Sequence, residues 1–356
     1  MRDGRHFPMR AMTARAADPP RTGRLGKRPS LLAWGAWAVL AASQSVHAAT
    51  PASALLASVR RPLASLPIAS RIRVPVGPAW LETGFDSVWV TDILHHQVLR
   101  IDPKTERVVA RIRVGSEPEL GLGMGFGAVW VPDVKDHTLT QIDPISQTVR
   151  RVLPVNLAPY PEGSIGVGEG GVWVITNNGG TDAGTLTQVD PVSGSVIADI
   201  RVHRQSHAVM VAFGSVWVTS TAEHRLTRVD PKTHRVVADI VTHDRPLFLA
   251  AGEGSVWVLC QGDGSLQRVD PAADAVAATL ALGVPGEGGD LSINGGYVWV
   301  SAEGTPLTQV DPRDNRVLRQ YVGGKRLDTL RVAFGSAWLV DAGKGRVWRV
   351  PVADWH

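Results

Sequence analysis

The sequence predicts an all-β fold, a seven-bladed β-propeller of four-stranded blades, and three observations carry that expectation. Tryptophans recur as Trp89, Trp130, Trp173, Trp217, Trp257, Trp299 and Trp338, with successive gaps of 41, 43, 44, 40, 42 and 39 residues. In six of the seven units an Asp-Pro pair follows, at Asp102, Asp143, Asp190, Asp230, Asp270 and Asp311. Each unit also divides into several short apolar runs. A period near forty with several strands per period is what a propeller blade requires.

The fourth unit shows the pattern most clearly. Its apolar runs cover residues 208–213, 215–219, 226–229 and 236–241, here named strands A to D from the propeller axis outward. They are short and rich in Val, Ile, Ala and Trp, as strands are. The Val-Trp-Val triplet breaks the polar/apolar alternation, which fits a strand covered on both faces by neighbouring blades. A Gly-rich tight connection joins A to B, where glycine supplies positive φ without steric cost. Between C and D the Asp-Pro presets a turn, and the carboxylate can accept from N–H groups two residues on. Six aspartates at one turn position are therefore read as structural and not as metal ligands.

Residues 1–48 read as an export leader. A basic run (Arg21, Arg24, Lys27, Arg28) precedes a twelve-residue apolar segment, and Val46-His47-Ala48 offers a small-x-small cleavage site. The segment is too short for a permanent span, so no membrane span is expected after cleavage and the mature chain is expected to be periplasmic or secreted. The whole chain has 37 Lys+Arg against 33 Asp+Glu, a net of +4. The leader holds eight of those basic residues and two of the acidic ones, which leaves 29 against 31, a net of −2. A basic footprint for nucleic acid is thus not expected on the mature protein.

Residues 49–69 read as a Pro/Ala/Ser-rich linker without a period, and residues 70–356 as the propeller. Arg71-Ile72-Arg73-Val74 duplicates Arg111-Ile112-Arg113-Val114, the D strand of the first unit, whereas the last unit runs out after its C strand. The N-terminal strand is therefore expected to complete the C-terminal blade, closing the ring and leaving a monomer without an open inner edge. Cys260 is the single cysteine, expected to be a buried and inert thiol.

The A–B and C–D loops lie on one face and are stereotyped. The D–A and B–C loops lie on the other, are variable and polar, and are where function is expected. Seven of the nine histidines after the leader fall there: His95, His96, His137, His203, His207, His224 and His243. Aligning the units on tryptophan places Glu119, Tyr160, Glu162, Arg245, Asp290, Arg326 and Asp328 around the channel mouth, a mixture suited to a small ligand. The densest cluster is His203, His207, Glu223, His224, His243 and Asp244. Histidine with carboxylate is the chemistry of divalent-metal ligation or of a general base, although the spacing matches no compact motif.

The VWV…RVDPxTxxVVAxIxVG units resemble YVTN-type propeller repeats and the related virginiamycin B (streptogramin) lyase-like propellers, over essentially the whole chain from Ser70. The lyase resemblance implies an elimination that opens a cyclic depsipeptide, dependent on Mg²⁺ or another divalent metal, with a histidine base in a Glu-Pro-His stretch. The matching stretch here is Gln205-Ser206-His207: His207 keeps the base position and Gln205 replaces the glutamate. Glu223, His224 and His243 are the residues to which a metal would fall, and Glu117-Pro118-Glu119 has the acid and proline without the histidine. Two readings follow. One is an exported binding or scaffold module that engages a small molecule, a cell-wall component or a partner protein through the D–A/B–C face. The alternative is a metal-dependent lyase or hydrolase with His207 as base.

Overall fold

The computed structural model describes residues 52–356, except 119, 120, 160–162, 179–181, 183, 287, 326, 328 and 356. The expected leader therefore lies outside the described residues. Seven antiparallel sheets follow one another along the chain, spanning residues 78–113, 123–154, 165–201, 206–241, 246–281, 289–322 and 330–351. We number them blades 1 to 7. Each is a meander of A to D strands; in blade 4 these are Ser206–Ala212, Ser215–Ser220, Arg225–Asp230 and Arg235–Val241. Blade 7 has only three strands of its own. Strand β2 (Ser70–Arg73) supplies the fourth, antiparallel to Arg346–Pro351 with Ile72 opposite Val347. The ring closes as the duplicated Arg-Ile-Arg-Val predicts.

The stretch read as linker carries ordered elements. Helix α1 (Ala52–Val59) lies on the outer strand of blade 6, and strand β1 (Arg60–Pro62) adds to that strand in parallel, with Arg60 opposite Gln320. Arg60 Nε donates to Gln320 Oε1 at 2.8 Å, and Leu56 and Leu66 are buried. An eight-residue helix followed by a three-residue strand is too short to show a period, so neither element is visible in the residue pattern.

All seven tryptophans are buried and lie on B strands between blades. Each Nε1–H donates to the carbonyl five residues earlier, from Trp89 to Gly84 (3.0 Å) through Trp338 to Ala333 (3.1 Å). The indole thus fills the inter-blade layer and latches its own A–B hairpin, a polar handle that Phe or Leu lacks. The six aspartates of the Asp-Pro turns each accept from the N–H two residues on, at 2.8–2.9 Å. These bonds hold Asp102 and Asp230 below the usual carboxylate range, and at Asp190 the Ser193 N–H, followed by that of Val192, does the same.

A second ring of contacts joins every pair of neighbouring blades. On the C strands, Arg100, Arg228 and Arg268 stack over Trp89, Trp217 and Trp257 at 5.3–5.6 Å and donate to the Pro144, Pro271 and Pro312 carbonyls of the next blade, at 2.8–2.9 Å. Arg349 does the same over Trp338 and pairs with Glu106, so blade 7 is tied to blade 1. Where the position is glutamine, a substitute appears. Gln141 holds Arg151, which reaches the Pro191 carbonyl; Gln188 meets His234 Nε2 at 2.7 Å; and Gln309 donates to the Trp355 carbonyl at 3.1 Å.

Candidate functional site

The A strands of all seven blades line a central cavity of about 430 Å³. Toward the D–A/B–C face it is capped by aromatic side chains. Trp80, whose N–H donates to Thr91 Oγ1 near the end of the B strand, reaches across from blade 1 to Phe248 of blade 5, with ring centroids 6.0 Å apart. A Cβ placed on Gly163 of blade 3 would touch the Trp80 ring at 3.8 Å. His207 of blade 4 stands edge-on to Phe248, 5.7 Å between centroids. His207 therefore does lie at the inner mouth, in an apolar setting. It is half-buried, its Nε2 is buried with no hydrogen-bond partner among the described residues, and loss of solvation, aided by the Arg245 charge, drops its pKa to about 3. It is neutral at physiological pH, and no carboxylate among the described residues orients it.

Deeper in the cavity lies a charged cluster spanning three blades. Arg331 of blade 7 donates through Nε to Glu82 of blade 1 (2.8 Å) and through Nη1 to Asp290 of blade 6, and stacks over Trp80 at 5.6 Å. Asp290 also accepts from the N–H groups of Leu291 (2.8 Å) and Leu330 (3.1 Å). Burial pushes the Asp290 carboxyl up to about 6 against the pull of Arg331. The two carboxylates keep the guanidinium charged. Asp290, read as a rim residue, is instead buried and fully engaged. Arg245 is half-buried beside the cap, and its N–H donates to His224 Nδ1 at 3.2 Å. Glu119, Tyr160, Glu162, Arg326 and Asp328 lie outside the described residues.

The histidine-rich loops of blades 4 and 5 come together as three separate groups, one of three residues and two of two. His203 Nδ1 is 2.7 Å from Glu223 and its Nε2 is 2.9 Å from Asp239. His224 Nδ1 is 3.3 Å from Asp244, and His243 Nδ1 is 2.6 Å from Asp263. Hydrogen bonds from His203 and Arg204 hold Glu223 below the usual range. The same theme recurs on blade 1, where His95 Nδ1 is 2.8 Å from buried Asp92. Asp239 and Asp263, which complete these pairs, escaped sequence reasoning because Asp239 sits within a D strand. Glu223, His224 and His243 are thus near one another, but each faces a different partner. Among the described residues no three His, Cys, Asp or Glu side chains converge as a metal would need. Gln205 stands where the lyase pattern has a glutamate, so these residues do not fit the divalent metal that the resemblance implies. Cys260 is fully buried, its thiol pushed up to about 12 chiefly by burial.

No protein family and no curated protein matches the chain in sequence. Solved structures do match in shape. Virginiamycin B lyase from Staphylococcus aureus superposes with a TM-score of 0.64 at 12% identity, covering 79% of this chain and 98% of that one. The chain has the ring fold of the streptogramin lyases. Hydrazine synthase from Kuenenia stuttgartiensis gives 0.63 at 12% identity, covering 81% and 97%. BamB from Moraxella catarrhalis gives 0.55 at 13%, covering 77% and 85%. Such identities establish the fold and leave activity to be argued from the site. No helix among the described residues is long and apolar enough to cross a membrane.

Proposed function

We propose that the chain is an exported binding module, a rigid ring that offers the D–A/B–C loops of blades 4 and 5 to a partner or polar ligand. One observation carries this reading: every histidine of the cluster that reaches a carboxylate is held by it, His203 between two of them, while the candidate base, His207, packs neutral against Phe248. A general base needs reach to a substrate proton and a group that orients it. A recognition surface needs fixed donors and acceptors in a defined pattern, which the pairs supply together with Arg204 and Arg225. The lyase reading retains the fold likeness and the position of His207 in the register.

The test sets the mature protein against a streptogramin B depsipeptide with Mg²⁺, followed by mass spectrometry, beside His207→Ala. The binding reading expects no ring-opened product from either protein. In parallel, soluble peptidoglycan fragments and the intact depsipeptide are screened by thermal shift, and any stabilisation should vanish in Glu223→Gln/His243→Gln. Turnover by the wild type that His207→Ala abolishes would overturn the reading in favour of the lyase.

A further inference from the structure

Each A strand sets one residue opposite its blade's repeat tryptophan: Glu82, Gly123, Gly166, Met210, Ala250, Ser292 and Arg331 in blades 1 to 7. All seven line the central cavity. The layer thus has two charged members, on the adjacent blades 7 and 1. Its other side chains are short, apart from the flexible Met210, and leave it open. Asp290, two residues before Ser292 on the same strand, joins the charged pair. Among the described residues that line the cavity, Glu82, Asp290 and Arg331 are the only ionisable ones.

The charges in this cavity do not balance. Two carboxylates share one guanidinium, which leaves one net negative charge among mostly apolar walls, and a charge in such a place is ordinarily paired. The open acceptor is Glu82. Asp290 is buried and taken up by Arg331 and the Leu291 and Leu330 N–H groups. Glu82 is 21% exposed and accepts from Arg331 Nε and, at 2.9 Å, from the Thr83 N–H, so lone pairs of its two oxygens remain free. The hydrogen bonds of Arg331 to described residues run through Nε and Nη1. An anion at Nη2 would stand beside two carboxylates already on the same guanidinium. His207 and Arg245 stand at the cap and do not line the cavity. At the other end the lining reaches Thr83, Asn294 and Ala333, just before the A–B turns. Those turns carry Asp86, Glu169 and Glu253 and no base, whereas Lys104, Lys232 and Arg313 on the same face stand farther from the axis, in C–D turns.

We infer that the central cavity is a second ligand site, independent of the loop face proposed above, and that its ligand is a small amphipathic amine. The protonated amino group sits on Glu82, and the apolar body lies against Ile165, Met210 and Leu249 of the facing blades 3 to 5. An ammonium group brings three donors and the missing positive charge. Removing the apolar body from water supplies the rest of the affinity. A cavity of about 430 Å³ is of the size that holds such a molecule. An inorganic cation would satisfy the charge and leave the apolar walls unused.

The experiment follows amide NMR spectra of the protein during titration with hexylammonium, hexanol, hexanoate and methylammonium. The Leu291 and Leu330 amides, which donate to Asp290, report on the site in the unmodified protein. Hexylammonium is expected to shift both saturably, and hexanol to bind about tenfold or more weakly because it lacks the charge. Hexanoate and methylammonium should not shift them measurably. Glu82→Gln keeps an acceptor for Arg331 and removes the net charge. It should lose about tenfold of the amine affinity and hold its hexanol affinity within about twofold, a split that misfolding does not produce. Ala250→Leu keeps all three charges, fills the layer from blade 5 and should weaken both ligands alike. Glu223→Gln/His243→Gln on the loop face should bind as wild type does, so the two sites stand or fall separately. The inference is overturned if hexylammonium shifts neither amide, if hexanol, hexanoate or methylammonium binds as well as the amine, or if Glu82→Gln or Ala250→Leu keeps the wild-type amine affinity. Where a variant does not fold, the ligand series on the wild-type protein decides alone.

Discussion

Replacing Arg331 by methionine isolates the charged cluster that holds blades 6, 7 and 1 together. The guanidinium side chain is 16% exposed and Asp290 beside it 4%, so the change strands a carboxylate in the interior with, among the described residues, the Leu291 and Leu330 N–H groups for support. Breaking one side of a buried ion pair costs about 3–5 kcal/mol. For a ring of this size that is a fall in melting temperature of roughly 6–10 °C. The pH dependence gives the reasoning its sign. Burial already places Asp290 at about 6 with Arg331 present, and removal of the cation raises it further. An acid whose folded pKa exceeds its unfolded value weakens the fold above that pKa and ceases to do so as pH falls through it. The loss should therefore be large at pH 7.5 and much smaller at pH 5, and Arg331→Met/Asp290→Asn should restore most of it at both. Melting curves followed by circular dichroism at the two pH values decide the matter. A variant that melts within about 2 °C of wild type at pH 7.5, or whose loss is the same at pH 5, would show that the cluster is not a closure clamp.

Two further outcomes follow from the ring. A protein beginning at Gly77 lacks β2, exposes the outer edge of Arg346–Pro351 and should melt well below one that keeps residues 50–356 and aggregate on heating; equal melting would refute closure by that strand. His207 has a folded pKa of about 3 against an ordinary 6.5, so the stability it contributes is complete above pH 6.5 and declines by at most about 1.4 kcal/mol per pH unit below it. His207→Phe, which keeps the contact with Phe248 and removes the unpartnered nitrogen, should gain on wild type steadily from pH 6.5 to pH 4.5 in urea unfolding, and a constant difference would contradict the burial.

The architecture was legible because it is periodic. Trp217 and Asp230 do in blade 4 what Trp89 and Asp102 do in blade 1, so spacing alone identifies blade count, strand order and turn type. The inter-blade ring was legible in principle too: Arg100, Gln141, Gln188, Arg228, Arg268, Gln309 and Arg349 all stand on the C strand just before the last strand residues, and an alternation of Arg and Gln at one register is a pattern. Its meaning was not, because the acceptor is a carbonyl some forty residues away. The α1 and β1 elements were illegible for the opposite reason, being short and occurring once.

The candidate site resisted sequence reading because it consists of departures from the repeat. Inner strands that run to Gly, Ala, Val and Met in most blades carry Trp80, Glu82, Asp290 and Arg331 in blades 1, 6 and 7. Whether such residues meet depends on how far side chains reach across the channel, and no periodicity encodes that distance. Trp80 shows the consequence. By reaching Phe248 it caps the channel from the far side of the ring, and His207 stands edge-on to that same Phe248 ring. A ring built from near-identical units has little information in its consensus beyond the fold itself. The positions that break the consensus at some cost to the interior are therefore where selection for closure and for partners must be sought.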